Sequence, residues 1–229
     1  DINIYKFSIS EANRNPSLIE SSIVGHMMIS ENEDLEAEKL QSVELMYIYQ
    51  QNSERLKLNL YYQKYKNSID GRINGDILQY YNKNEDDDNY GIELEYSKSF
   101  ENRSKLLFNS SYNIFEYKNK ENFNLNINTP MVSKITGNIG YIYPVNSKLS
   151  ISSYTKYYGK RNVLGDNKSV PEVLLFDVGA SYSISKDTKI FLNIKNIFDT
   201  KQYYWGYNTN DERMLREGRT WSANFRYDF

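Results

Sequence analysis

The 229 residues carry 28 Lys and Arg against 30 Asp and Glu, a formal charge of -2 that offers no basic field for nucleic acid. Without cysteine, disulfides and thiolate metal sites are excluded, and at a mean hydropathy of -0.72 no run approaches the ~20 apolar residues of a membrane-spanning helix. The 22 Tyr and 10 Phe against only 4 Pro suit strands instead, and alternating strands can carry a membrane surface within a polar average.

The chain opens directly on the strand-like INIYKFSIS. No signal peptide is visible at Asp1, so it starts after processing or in the middle of something larger. LQSVELMYIYQ follows, then RLKLNLYYQKYK, in which Leu56, Leu58, Leu60 and Tyr62 oppose Lys57, Asn59, Tyr61 and Gln63. In YGIELEYS, Tyr90, Ile92, Leu94 and Tyr96 oppose Gly91, Glu93 and Glu95. SKLLFNSSYNIF, KITGNIGYIY and KLSISSYTKYYG are weaker versions of the same period-2 pattern. EVLLFDVGASYSIS is the clearest, with Leu174, Phe176, Val178, Ala180, Tyr182 and Ile184 on one face, and TKIFLNIKNIFD repeats it with Ile190, Leu192 and Ile194. The chain stops on GRTWSANFRYDF, where Trp221, Ala223, Phe225, Tyr227 and Phe229 share a face opposite Thr220, Ser222, Asn224, Arg226 and Asp228. Ten strands are expected.

Their connections alternate in length. Short polar turns fall at 51–54, 100–103, 144–147 and 185–187, and longer irregular stretches at 11–39, 67–89, 116–130, 160–171 and 199–218. An antiparallel up-and-down sheet with all its short turns at one end and all its long loops at the other is the pattern of outer-membrane barrels. Outward side chains would then touch lipid, with Tyr and Trp at the two interfaces, while Asn193, Lys195, Glu93, Glu95, Asn224 and Arg226 point into a hydrated lumen. A soluble two-sheet sandwich is the plainer alternative, and it leaves the aromatic terminal row without a purpose.

Several segments, in order, resemble those of TonB-dependent outer-membrane receptors: SISEANRNPSLIE; LEAEKLQSVELMYIYQ, with Ala37 where Pro is usual; YYNKNEDDDNYGIELEY; LNIKNIFDTKQYY; and the closing GRTWSANFRYDF. The resemblance runs over essentially the whole chain. It implies an all-β transmembrane barrel of 22 strands around a plug. At about 23 residues per strand such a barrel needs on the order of 500 residues, so residues 1–229 are expected to be its C-terminal ten strands, without plug or energy-coupling box. The implied function is uptake of a metal chelate such as a ferric siderophore, a corrinoid or haem, energised through TonB in a Gram-negative outer membrane. Implied partners are membrane lipid, the chelate, the remaining barrel strands and plug, the TonB complex and the barrel-assembly machinery. No cofactor, nucleic-acid partner or enzymatic activity is expected.

Candidate ligand contacts lie in the long loops. Trp205, Tyr207, Arg213 and Arg216 combine aromatic rings with cations that would suit an aromatic, anionic chelate. Their alternative is an interface girdle below a hydrated loop, which suits Tyr203 and Tyr204 better. Arg219 stands at the "G-R" position, where a structural lumen contact is expected. His26, the single histidine, could touch a ligand but has no second metal-ligating histidine beside it, and no metal site is assigned. The run EDDD at 85–88 invites calcium but lacks a recognisable ligand spacing, and a solvated loop is the simpler reading. Phe225, Tyr227 and Phe229 match the terminal pattern that resembles an assembly signal. A self-contained small barrel acting as pore, adhesin or protease is the competing reading. The protease form would need an acid–base pair that the sequence does not supply.

Overall fold

The structure, a computed structural model, describes residues 1–21, 29–30, 32–74, 77–118, 132–162, 169–205 and 213–228. Ten long strands form one antiparallel sheet in chain order: β1 (Ile2–Arg14), β2 (Glu38–Gln51), β3 (Glu54–Lys66), β4 (Asp87–Ser99), β5 (Lys105–Glu116), β6 (Ile135–Pro144), β7 (Leu149–Tyr158), β8 (Val173–Ser183), β9 (Thr188–Lys195) and β10 (Thr220–Tyr227). Each is a run of alternating apolar and polar residues rich in Tyr, Ile, Leu and Val, which fit a pleated, half-covered surface. The turn after β2 is a two-residue hairpin closed by the Gln51–Glu54 pair, with Asn52 at φ 45, a conformation Asn tolerates. The turn after β6 is drawn tight by the Asn146 Oδ1 atom, which accepts the Lys148 and Leu149 amides at 2.8 and 2.9 Å.

The four short turns thus gather at one end of the sheet and the long connections at the other. Some strands rise further than the alternation suggests. β1 continues to Arg14, and β4 begins at Asp87, inside what reads as loop in the sequence. Charged residues there break the apolar rhythm without breaking the ladder. The long connections also contain small pieces of structure: a four-residue helix (Leu18–Ser21), a hairpin of Ile69–Asn74 with Ile77–Asn82, and one of Tyr203–Trp205 with Arg213–Leu215.

The register sorts the side chains into two faces. One row runs Ile9, Val43, Tyr62, Tyr90, Ile114, and the next on that face runs Phe7, Leu45, Leu60, Ile92, Tyr112. On the later strands the same face continues through Tyr143, Ile151, Ala180, Leu192 and Ala223. Following partners sideways from Glu54, beside the lower turn of β3, leads through Lys98, Leu106, Tyr141, Ser153, Val178 and Ile194 to Trp221, at the loop end of β10. That climb is the stagger of strands tilted within a barrel wall.

The opposite face is polar and bonded across strands. Asn89 donates to Gln63 at 2.8 Å, Asn113 donates to Asn89 at 2.7 Å and to the Tyr61 hydroxyl at 2.6 Å, and Asn138 donates to Asn109 at 2.7 Å. Lys57 meets Glu95 at 3.0 Å. Gly140 leaves room for the ring of Tyr154, its cross-strand partner: a Cβ there would sit 2.5 Å from the ring.

Among the described residues only Ile48, Ile69, Val170 and Val173 are buried hydrophobics, whereas Phe7 (67%), Ile9 (71%), Leu192 (54%), Trp221 (71%) and Phe225 (67%) stand exposed. The molecule wears its apolar surface outside. A soluble monomer rarely shows a continuous apolar face of this extent, and lipid would cover it. No described helix is long and apolar enough to cross a membrane, so the strands carry that surface. The sheet is open in the described residues: β1 pairs only with β2, and β10 only with β9. Closure of these ten strands on themselves is therefore not the arrangement found.

Candidate functional site

At the loop end, on the polar face, residues 196, 202 and 215–218 of the last long connection border a cavity of about 550 Å³ against β7–β9. Lys156, Asp177 and Lys195 reach it because alternate residues of neighbouring strands point the same way, and Gln202, Arg216 and Glu217 come from the connection above. Asp177 is fully engaged: one oxygen accepts Lys156 Nζ at 2.6 Å and the other the Asn196 amide at 2.9 Å. The lining carries three cations, Lys156, Lys195 and Arg216, against two acids, Asp177 and Glu217, so its net charge favours an anionic occupant.

A knot of backbone-directed bonds holds this connection. Asn196, buried and at φ 50, donates its side-chain amide to the Thr200 carbonyl and accepts the Thr200 N–H, both at 2.9 Å. Asp199 accepts the Arg219 amide at 2.7 Å, and the Arg219 guanidinium donates to the Ile197 carbonyl at 3.3 Å. A Cβ at Gly218 would lie 2.4 Å from Asp199 Oδ1, so a side chain there would displace the carboxylate that accepts the Arg219 amide. The NIFD and GR segments that looked familiar in the sequence form a clamp, and Arg219 is spent on it.

Of the candidate ligand contacts, Arg216 lines the cavity and donates its amide to the Gln202 carbonyl at 2.8 Å. Trp205 and Arg213 hold directly opposed positions in the small hairpin above, so the fold brings these backbones together. His26, Tyr207 and Phe229 lie outside the described residues. Phe225 and Tyr227 lie on the apolar face, opposite Ile190 and Thr188. Lys156, Asp177 and Gln202 escaped the sequence reading. The signal available for the first two was their place on the polar face at the tops of β7 and β8.

The EDDD run resolves into ion pairs. Asp86 lies 3.7 Å from Lys64, Asp87 lies 2.5 Å from Lys83, and Asp88 pairs with Lys118 while accepting the Tyr62 hydroxyl at 2.6 Å. With a lysine on each aspartate, these carboxylates do not converge on a cation, and no group of three metal-ligating side chains occurs among the described residues. The Lys83–Asp87 pair is almost wholly buried, with the Lys83 ammonium 3.6 Å above the Tyr117 ring. Asp70 is buried nearby in the first hairpin, and burial pushes its carboxyl up. This cluster pins the hairpin to the wall.

The family described as TonB dependent receptor-like, beta-barrel matches residues 1–197. No curated protein matches the chain in sequence. Among solved structures, the copper transporter OprC is similar with a TM-score of 0.79 at 15% identity over 99% of this chain and 37% of that one. A mutant of the ferric enterobactin receptor PfeA from Pseudomonas aeruginosa is similar at 0.78 and 19%, over 99% and 38%. The siderophore receptor PirA from Acinetobacter baumannii is similar at 0.78 and 17%, over 99% and 39%. At these identities the likeness is one of fold. The chain spans well under half the length of each.

Proposed function

Because this chain belongs to the TonB-dependent receptor-like β-barrel family, we propose that it forms part of the barrel wall of an outer-membrane receptor that takes up a metal chelate by active transport energised through TonB. The observation that carries this reading is the two-faced wall: apolar outside, hydrogen-bonded and polar inside, with all long loops at one end. The open edges of β1 and β10 would pair with further strands of the same barrel, since lipid does not tolerate unpaired backbone groups. Within that receptor the cavity between Lys195 and Arg216 would contribute cationic contacts to an anionic chelate at the upper lumen. Ligands named for similar structures, ferric enterobactin among them, suit such contacts.

The test is uptake. Iron-limited cells producing the protein in its native gene context are expected to accumulate radio-iron supplied as a ferric tris-catecholate, to lose that uptake when TonB is deleted, and to lose at least several-fold of it in a Lys195→Glu, Arg216→Glu double variant. TonB-independent accumulation at the same rate would point to a passive pore.

A further inference from the structure

Above the apolar band the outer face of β1–β4 turns charged. Directly over Ile9, Val43, Tyr62 and Tyr90 lies the row Glu11, Gln41, Lys64, Asp88, and above that Asn13, Lys39, Lys66. Lys39 and Lys66 are therefore direct cross-strand partners on one face, and Lys64 is the next residue on that face of β3. Like charges placed opposite each other in a ladder are destabilising. Among the described residues Lys64 has Asp86 as its partner, and the other local acids are engaged away from Lys39 and Lys66. Glu11 accepts Gln41 Nε2 at 2.7 Å, Asp86 faces Lys64 at 3.7 Å, Asp88 is held by Lys118 and Tyr62, and Glu116 accepts the Tyr90 hydroxyl at 2.9 Å. Among the described residues no carboxylate lies within ion-pair distance of Lys39 or Lys66.

Beneath this unrelieved charge is a cavity of about 570 Å³ whose lower wall is Ile9, Val43 and Tyr62 and whose upper wall is Lys64 and Lys66, beside the bonded Glu11–Gln41 pair. It opens onto the continuous apolar track of Phe7, Leu45 and Leu60. The site thus pairs a cationic top with an apolar bottom, on the outside of the wall, at the loop end, where the acyl region gives way to headgroups.

We propose that Lys39, Lys66 and Lys64 bind the phosphate of an anionic lipid of the outer leaflet, its acyl chains lying over Val43, Tyr62 and Leu60. A phosphate between the opposed ammonium groups supplies the counter-charge that Lys39 and Lys66 lack among the described residues, and lysine serves phosphate as a point charge without a fixed fork. A soluble phosphate would satisfy the charge but leave the apolar lower wall uncovered. The inference rests on the outer face being a membrane surface.

The experiment titrates the detergent-solubilised receptor with bisphosphorylated lipid A, and with its fully dephosphorylated form, reading bound lipid by native mass spectrometry. The unaltered protein is expected to bind the bisphosphorylated lipid, a K39Q/K66Q variant at least tenfold more weakly, and a K39R/K66R variant nearly as well as the original. The dephosphorylated lipid should bind all three alike, and inorganic phosphate at equal phosphate concentration should not compete. Folding of each variant is checked by the heat-dependent shift of its barrel on gel electrophoresis. Equal binding of the bisphosphorylated lipid by the K39Q/K66Q variant, or displacement by inorganic phosphate, overturns the proposal and leaves the transport reading standing. A receptor that stays folded and monomeric without detergent overturns both.

Discussion

The two faces of the wall differ in how their side chains are satisfied. On the inner face neighbours across strands complete one another: Gln63, Asn89 and Asn113 form a run of amide hydrogen bonds, and Lys57 has Glu95. On the outer face Leu45, Leu60 and Ile92 lie side by side with nothing above them, and even the stacked Tyr5 and Tyr47 rings, 5.0 Å apart, keep Tyr5 73% exposed. The inner face is for the most part finished by the chain itself, Asn59 Oδ1 being a buried exception; the outer face is finished by its solvent. That is the reverse of a soluble domain, and it makes each face sensitive to a different kind of change.

The sharpest way to break the comparison is a charge at mid-height. Leu58→Arg on the outer face is expected to cost about 2–4 kcal/mol of stability in liposomes, whereas Asn109→Arg, reaching the lumen, should cost well under half of that. Urea unfolding followed by tryptophan fluorescence would measure both, and equal costs would erase the distinction between the faces. Next is the clamp at the loop end. Asn196→Ala strands half-buried backbone groups at Thr200, with an expected cost of about 1–2 kcal/mol and faster proteolysis within residues 197–219.

A comparable effect is expected from Gly140→Ala, which drives a Cβ into the Tyr154 ring at about 1–3 kcal/mol. Because the clash is with a side chain, Tyr154→Ala in the same molecule should make the second methyl nearly free. Persistent destabilisation in the double variant would show that backbone strain, and not the crossed ring, is responsible.

The smallest effects are in the loops, and they have opposite signs with pH. Burial raises the Glu20 carboxyl, but hydrogen bonds from Arg14 and Ser17 outweigh it and hold it at about 2, below its ordinary 4.5. Its contribution is complete above pH 4.5 and fades as pH falls toward 2. Asp70 is raised by desolvation, so its contribution is complete below the ordinary carboxylate range and is lost as pH rises through its raised value. Hydrogen exchange should therefore accelerate in residues 17–21 on acidification and in 69–82 on raising the pH, and Asp70→Asn should abolish only the second trend.

The ten strands, their two faces and the long-short alternation of connections were legible because each rests on local rhythm: residues i and i+2 of EVLLFDVGASYSIS share a fate that any short window reveals. The upper ends of β1 and β4 were not, since Glu11, Arg14, Asp87 and Asp88 carry the ladder above the apolar band, where alternation no longer signals anything. The site was only partly legible. Arg216 could be named from its loop, but the cavity joins Lys156 to Arg216 across 60 positions through sheet register. The lysine of each aspartate in the EDDD run likewise comes from a different segment, so a run that looks like one cluster in sequence is three separate pairs in space.

The most direct test uses the absence of native cysteine. Single cysteines placed in turn at Ile190 to Asn193 on β9 and at Ser222 to Phe225 on β10 can carry a nitroxide, whose contact with lipid-borne oxygen and with an aqueous nickel chelate is read in membranes bearing the protein. Oxygen contact that peaks at positions 190, 192, 223 and 225 and nickel contact that peaks at 191, 193, 222 and 224 is the expected result. Equal nickel contact at all eight would mean that water bathes both sides of the sheet, and the membrane wall would have to be abandoned.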